Sequence, residues 1–170
     1  MRKLLTLLMP VGLWAALPLK AADFTLDPTH TFATFEIDHF GATTNRGRFD
    51  RKQGSVFFDR IAGVGRVDIT IDVASVSTGT PAFDRQLLGA DLLDAERYPT
   101  ARFVSERFIF QGDRVTAVEG QLTLRGQTRP VSFRALKFNC YNSLVFKRTV
   151  CGGEFDTVID RTDFGIDYLV

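Results

Sequence analysis

From Arg66 to Val73 apolar and polar residues alternate without a break. Val67, Ile69, Ile71 and Val73 fall on one side, Arg66, Asp68, Thr70 and Asp72 on the other. A period of two with one apolar face predicts a half-buried antiparallel strand. The alternation returns at Val118, Leu122 and Leu124, at Val131, Phe133 and Ala135, and more weakly at Phe155, Thr157 and Ile159. Phe-bearing stretches over Thr31–His39, Arg48–Asp59 and Ala101–Phe110 read as further strands. Turn signals separate them: Gly63 with Gly65, Gly112-Asp113, Gly126 and Gly152-Gly153.

One stretch departs from this period. Thr80-Pro81 is a helix start, with Thr as the cap and Pro at the first helical position. Phe83, Leu87, Leu88 and Leu92 then recur at helical spacing, which predicts a short amphipathic helix ending before Tyr98-Pro99. Its apolar stripe needs a hydrophobic surface, so Thr80–Asp94 is expected to act as a lid or plug. A permanent place in the core is the alternative. About eight short strands and one helical insertion predict an all-β fold, a single antiparallel barrel closed or nearly closed. A β-sandwich has the same strand count and stays open as an alternative.

Length and composition fit one globular domain: 170 residues, 45% hydrophobic and 24% charged. The aromatic residues are unevenly chosen, 16 Phe against one Trp and three Tyr, which gives apolar volume for a core or for a cavity wall. Alternation assigns the wall. Phe35, Ile37 and His39 lie on one strand, Val67, Ile69 and Ile71 on another, with Phe49, Phe103, Leu122, Leu124 and Phe133 further round. Leu87 and Leu88 come from the helix. An apolar lumen of this kind takes apolar ligands.

Residues 1–22 read as a secretory signal peptide. Arg2 and Lys3 precede an apolar run from Leu4 to Leu17, Pro18 breaks it, and Ala21-Ala22 mark the cleavage zone. An uncleaved anchor is the competing reading, but the run is shorter than the ~20 residues of a membrane span. The expected product is exported, without a stable membrane anchor, and its single domain spans 23–170. Removing Arg2, Lys3 and Lys20 turns 21 cations against 20 carboxylates into 18 against 20. Such a balance argues against a nucleic-acid partner. In an oxidising compartment Cys140 and Cys151 read as one disulfide, closing a short loop between neighbouring strands near their ends.

Catalytic patterns are missing: the sequence has no G-x-S-x-G, no phosphate loop and no H-E-x-x-H. Two histidines, His30 and His39, do not close a metal site, and Asp91 with Asp94 lacks a nucleophile. No catalytic residue, metal or cofactor is therefore assigned. The basic knot Arg46, Arg48, Arg51 and Lys52 reads first as a solvated hairpin flank. Its functional reading places Arg46 and Arg48 as head-group ligands, since guanidinium forks match anionic oxygens.

Several ordered motifs together resemble the YceI-like family. They are Asp27-Pro-Thr-His30-Thr, Phe35-Glu-Ile-Asp-His39-Phe-Gly, Arg46-Gly-Arg-Phe49 and Val76-Ser-Thr-Gly79. They continue with Asp91-Leu-Leu-Asp-Ala-Glu-Arg-Tyr98-Pro-Thr-Ala-Arg-Phe103, Gly120-Gln-Leu-Thr-Leu-Arg-Gly126 and Asp163-Phe-Gly165. The resemblance spans the chain from about residue 23 to its end. It implies an exported lipocalin-like barrel, periplasmic and non-enzymatic, whose partner is a long-chain isoprenoid or similar amphiphilic lipid. It also implies one more strand after Asp163-Phe-Gly165, whereas this chain stops at Tyr168-Leu169-Val170. The expectation is a truncated chain or a barrel open along one side. A surface interaction module, with a protein or glycan partner and a packed core, is the alternative function. A large internal cavity favours the lipid carrier, and a filled interior together with an exposed apolar patch favours the module.

Overall fold

The computed structural model describes residues 22–169. The expected signal peptide lies almost wholly outside the described residues. Strands β1 (Ala22–Thr25), β2 (Ala33–His39), β3 (Thr43–Phe49), β4 (Lys52–Asp59), β5 (Val64–Asp72) and β6 (Val76–Ser77) precede a single helix, α1 (Pro81–Leu88). Strands β7 (Thr100–Gln111), β8 (Arg114–Leu124), β9 (Gln127–Ser143) and β10 (Arg148–Asp156) follow. Seven of them form one sheet in the order β1-β4-β5-β7-β8-β9-β10, and β2-β3-β6 form a second. All neighbours in both sheets are antiparallel.

The large sheet is rolled. Strands β4 and β9 are separated by β5, β7 and β8 in the sheet order, yet the Phe58 and Phe138 rings lie 5.1 Å apart. The result is a half-barrel of the expected lipocalin-like kind. Phe58, Val67, Val115 and Val118 are buried on its concave side, with Phe24, Phe108, Phe110, Phe138 and Phe155 packed against them. Phe58 also stacks on Phe110 at 5.8 Å, and Phe138 meets Phe155 at 6.2 Å. Each such pair contributes about 0.5–1.5 kcal/mol beyond the area it buries. One end of the half-barrel is thus filled by phenylalanine.

The convex face carries the polar residues that the alternation puts there. Asp68 accepts from Arg102 Nε at 2.8 Å, Asp156 accepts from Arg134 Nη2 at 2.9 Å, and Glu119 meets Arg107 at 2.8 Å. The arginine hydrogen bonds hold the Asp68 and Asp156 carboxyls below their ordinary range. Solvent screens exposed pairs of this kind, so the concave side supplies most of the stability.

Three details differ from the sequence reading. The stretch Arg48–Asp59 is two strands, because the chain turns a corner at Asp50-Arg51. There Ser75 accepts from the Asp50 N–H through its carbonyl and from the Arg51 N–H through its hydroxyl, at 3.0 and 2.9 Å. Leu92 lies beyond the end of α1, which stops at Leu88. Gly152-Gly153 is not a turn but lies inside β10, where a Cβ on Gly153 would collide with the Phe155 and Phe138 rings. The cysteines sit as expected in neighbouring strands near their ends, directly opposite one another in the β9–β10 register.

Cys140 and Cys151 form a disulfide. On the chain-entropy account a loop of this size stabilises by roughly 3 kcal/mol. Reduction should therefore lower the melting temperature by roughly 6–12 °C, read by circular dichroism with and without a thiol reductant. Unchanged melting in a sample shown to carry two free thiols would reject this.

Candidate functional site: the concave face of the half-barrel

The expected wall residues of the large sheet do share one face. Val56 pairs with Val67, Val67 with Ser105, Ile69 with Phe103, Phe103 with Leu122, and Val118 with Phe133. Val67 is buried, but Ile69, Ile71, Phe103, Leu122, Leu124, Val131 and Phe133 remain only half-buried. Phe103 and Phe133 stand edge to face at 4.9 Å. Their close fit requires Gly120, where a Cβ would collide with the Phe103 ring and with the Val104 carbonyl. The concave side is therefore graded, packed with Phe at one end, where Ile69 and Phe103 also join the cluster, and lined by half-buried apolar side chains toward the other.

The second sheet brings together Phe35, Ile37, His39 and Phe49 by the same alternation. Phe35 lies over Gly47 and 5.7 Å from the Phe49 ring; Ile37 and His39 are exposed. Arg46 and Arg48 project from the opposite face. Arg46 is spent on Glu36 at 2.7 Å and Arg48 on Asp50 at 2.7 Å. Leu87 of α1 is buried and Leu88 half-buried, and the helix packs beside β6.

Two cations on the concave side were missed as site residues. Lys52 pairs with Ile71 and shares the face of Val56 and Phe58; Arg129 pairs with Leu122 and shares the face of Val131 and Phe133. Both stand at the end away from the Phe cluster. Lys52 donates to the Asp50 carbonyl at 3.2 Å and lies 5.6 Å from the Phe32 ring; Arg129 donates to the Thr128 carbonyl at 3.0 Å. Neither has a carboxylate partner among the described residues. The available signal was register: each occupies an apolar position of its strand pattern.

The same end is fastened by the segment after α1. Arg125, in the β8–β9 turn, donates to the Ala90 carbonyl at 2.6 Å, and the Tyr98 ring covers Gly126. The Asp163-Phe-Gly165 motif forms a 3-10 turn against β9, with Phe164 buried and Gly165 in the left-handed conformation that ends it. The Asp27 motif is a turn as well. Asp27 accepts from Thr29 Oγ1 at 2.6 Å and meets His30 Nδ1 at 2.7 Å, and these bonds hold its carboxyl far below the usual range. His30 is thus engaged with a neighbouring carboxylate, and the described residues contain no cluster suited to a metal.

A shallow open groove of about 490 Å³ lies elsewhere, between Arg114, Leu136 and the β9–β10 pair. Lys137 and Glu154 in its wall are paired with each other at 3.2 Å.

Comparison with known proteins agrees with this architecture. A UPF0312 protein of Vibrio cholerae is 32% identical over 135 residues, covering 75% of this chain and 71% of the relative. One of Pseudomonas putida is 30% identical over 149 residues, covering 86% and 77%. Among solved structures, the Campylobacter jejuni YCEI protein superposes with a TM-score of 0.65 at 24% identity, covering 84% of this chain and 83% of that one. A polyisoprenoid binding domain from Saccharophagus degradans, implicated in plant cell wall breakdown, gives 0.53 at 18%, covering 87% and 83%. The YceI-like domain family matches residues 24–170, and the chain belongs to that family.

Proposed function

We propose that this protein binds a long-chain isoprenoid lipid, of polyprenyl or isoprenoid-quinone type, along its concave face, and sequesters or carries it in the periplasm without chemical change. The observation that carries the reading is the row of half-buried apolar side chains from Ile69 and Ile71 through Phe103 to Leu122, Leu124 and Phe133. A merely packed core would cover these residues with other parts of the chain. An apolar ligand covers them instead, and a solvated acyl or prenyl chain gains ~0.8 kcal/mol per CH₂ buried. The polyisoprenoid-binding fold relative supports lipid as the ligand class. The disulfide suits an oxidising compartment, and no described helix is long and apolar enough to cross a membrane.

The cargo has a polarity in this reading. Its chain end lies toward Phe58 and Phe110, and its head group lies at the other end within reach of Lys52 and Arg129. Arg46 and Arg48, already paired on the far face of the second sheet, take no part. Solvent extraction of the purified exported protein followed by mass spectrometry should release an isoprenoid-type lipid. An empty extract from well-folded protein overturns the proposal. Replacing Lys52 and Arg129 together by Ala should weaken retention of an anionic-headed lipid about ten-fold, the worth of one charge-assisted hydrogen bond. Retention equal to the parent would exclude these two cations as the head-group contacts.

A further inference from the structure

Strands β9 and β10 run on past the rest of the sheet. Strand β8 pairs with β9 only as far as Arg134, opposite Ala117, whereas β9 pairs with β10 up to Ser143 opposite Arg148. The outer part is a two-stranded ribbon, held at its base by Phe138, Cys140 and Phe155 packed against the Phe58 cluster. Cys140–Cys151 fastens it just below its tip.

That tip is Leu144-Val145-Phe146-Lys147-Arg148. Leu144 is 93% exposed, Val145 84% and Phe146 53%, and Tyr141 beneath them is 55% exposed. The other strongly exposed apolar residues, such as Phe40, Ile61 and Val158, are separated along the chain, which is ordinary for a surface. Three in succession at the end of a fastened hairpin are not. The turn is ordered, with Phe146 N–H donating to Ser143 Oγ at 3.2 Å and Lys147 in the left-handed conformation. Lys147 and Arg148 have no carboxylate partner among the described residues, while the cations nearer the barrel, Arg134 and Lys137, are each paired. Arg148 lies over the Phe146 ring, 5.7 Å from its centroid.

We infer that this ribbon tip docks on an anionic lipid bilayer. Leu144, Val145 and Phe146 enter the headgroup–acyl boundary, Tyr141 lies at headgroup level, and Lys147 and Arg148 meet lipid phosphates. Apolar residues that insert beside unpaired cations are the combination by which peripheral proteins hold such surfaces. The disulfide's part is to keep the tip presented rather than folded back. The inference concerns a surface partner and stands independently of what fills the concave face.

The test is co-sedimentation of the full protein with vesicles of phosphatidylglycerol and phosphatidylethanolamine, compared with phosphatidylcholine alone. Binding should favour the anionic vesicles and fall with salt. Lys147→Ala and Arg148→Ala should each weaken it about five-fold, and Leu144→Asp with Val145→Asp more than ten-fold. Extractable cargo and thermal melting should stay at parent values, because these side chains touch neither the concave face nor the core. Comparing variants in the same chain cancels any contribution from the N-terminal segment. Equal vesicle binding by parent and tip variants overturns the inference. So does a parent dimer in sedimentation that the tip substitutions convert to monomer without changing vesicle binding, since the tip would then be covered by a second copy.

Discussion

Ile69→Asp should empty the protein of lipid and cost it about 1–3 kcal/mol, because a carboxylate is set on an apolar wall where Ile69 is half-buried. Ile69 stands in the middle of the concave face, opposite Gly54 on one neighbour and Phe103 on the other. A carboxylate there stands on an apolar wall, with the Phe cluster on one side and Ile71 and Leu122 on the other, and the one cation near it is Lys52, a pair further along β4. Its neighbour in sequence is the control. Asp68 faces out and pairs with Arg102, so Asp68→Ala should cost no more than about 1 kcal/mol and leave lipid retention intact. Retention is read by extraction and mass spectrometry, stability by urea unfolding. If Asp68→Ala lost the lipid while Ile69→Asp kept it, the ligand would lie on the convex face and the proposed site would be wrong.

The strand faces were legible because alternation is a property of single strands. Val67, Ile69 and Ile71 fall on the concave side and Asp68 on the convex side because a side-chain period of two leaves no other choice. How strands meet was less legible. Phe58, Phe110, Phe138 and Phe155 come from β4, β7, β9 and β10, and their contact depends on how far the sheet rolls. Nothing within any one strand encodes that. In sequence Lys52 reads as part of a basic knot because it follows Arg46, Arg48 and Arg51. The corner at Asp50-Arg51 separates them, leaving Arg48 on the second sheet and Lys52 on the concave face of the first. Gly153 misled in a similar way: a glycine that makes room for two rings and a glycine that makes a turn look alike until the rings are placed.

The disulfide and the motif turns show the converse. Cys140 and Cys151 were paired correctly from compartment logic, but their position within strands depended on β9 being far longer than its apolar alternation suggested. Beyond Ala135 the strand continues through Leu136-Lys137, where β9 carries an extra residue opposite the Glu154–Phe155 step of β10. That irregularity breaks the period of two, so the outer ribbon left no clean alternation to read.

The segment from Thr80 to Asp94 decides whether cargo exchange is gated. Thr80 sits at the N-cap position and Pro81 begins α1, while Asp84 accepts from the Thr78 N–H at 2.7 Å and from its hydroxyl at 2.6 Å, which fastens the helix start to the strand before it. The far end is held by Arg125 on Ala90 and Tyr98 over Gly126, at the end of the half-barrel that carries Lys52 and Arg129. Leu87 is 5% exposed, and Leu93 N–H donates to its carbonyl at 3.0 Å. Replacing Leu87 and Leu88 together by Ala should therefore cost several kcal/mol, since a buried Leu→Ala change alone costs about 2–5 kcal/mol. If the segment is a lid, the same change should speed release of a bound fluorescent lipid at least ten-fold at temperatures where circular dichroism shows the strands intact. Release depends on opening this one element, and its anchoring at both ends makes opening a local event distinct from unfolding of the sheet. A destabilised protein with an unchanged release rate would instead make α1 a fixed part of the core.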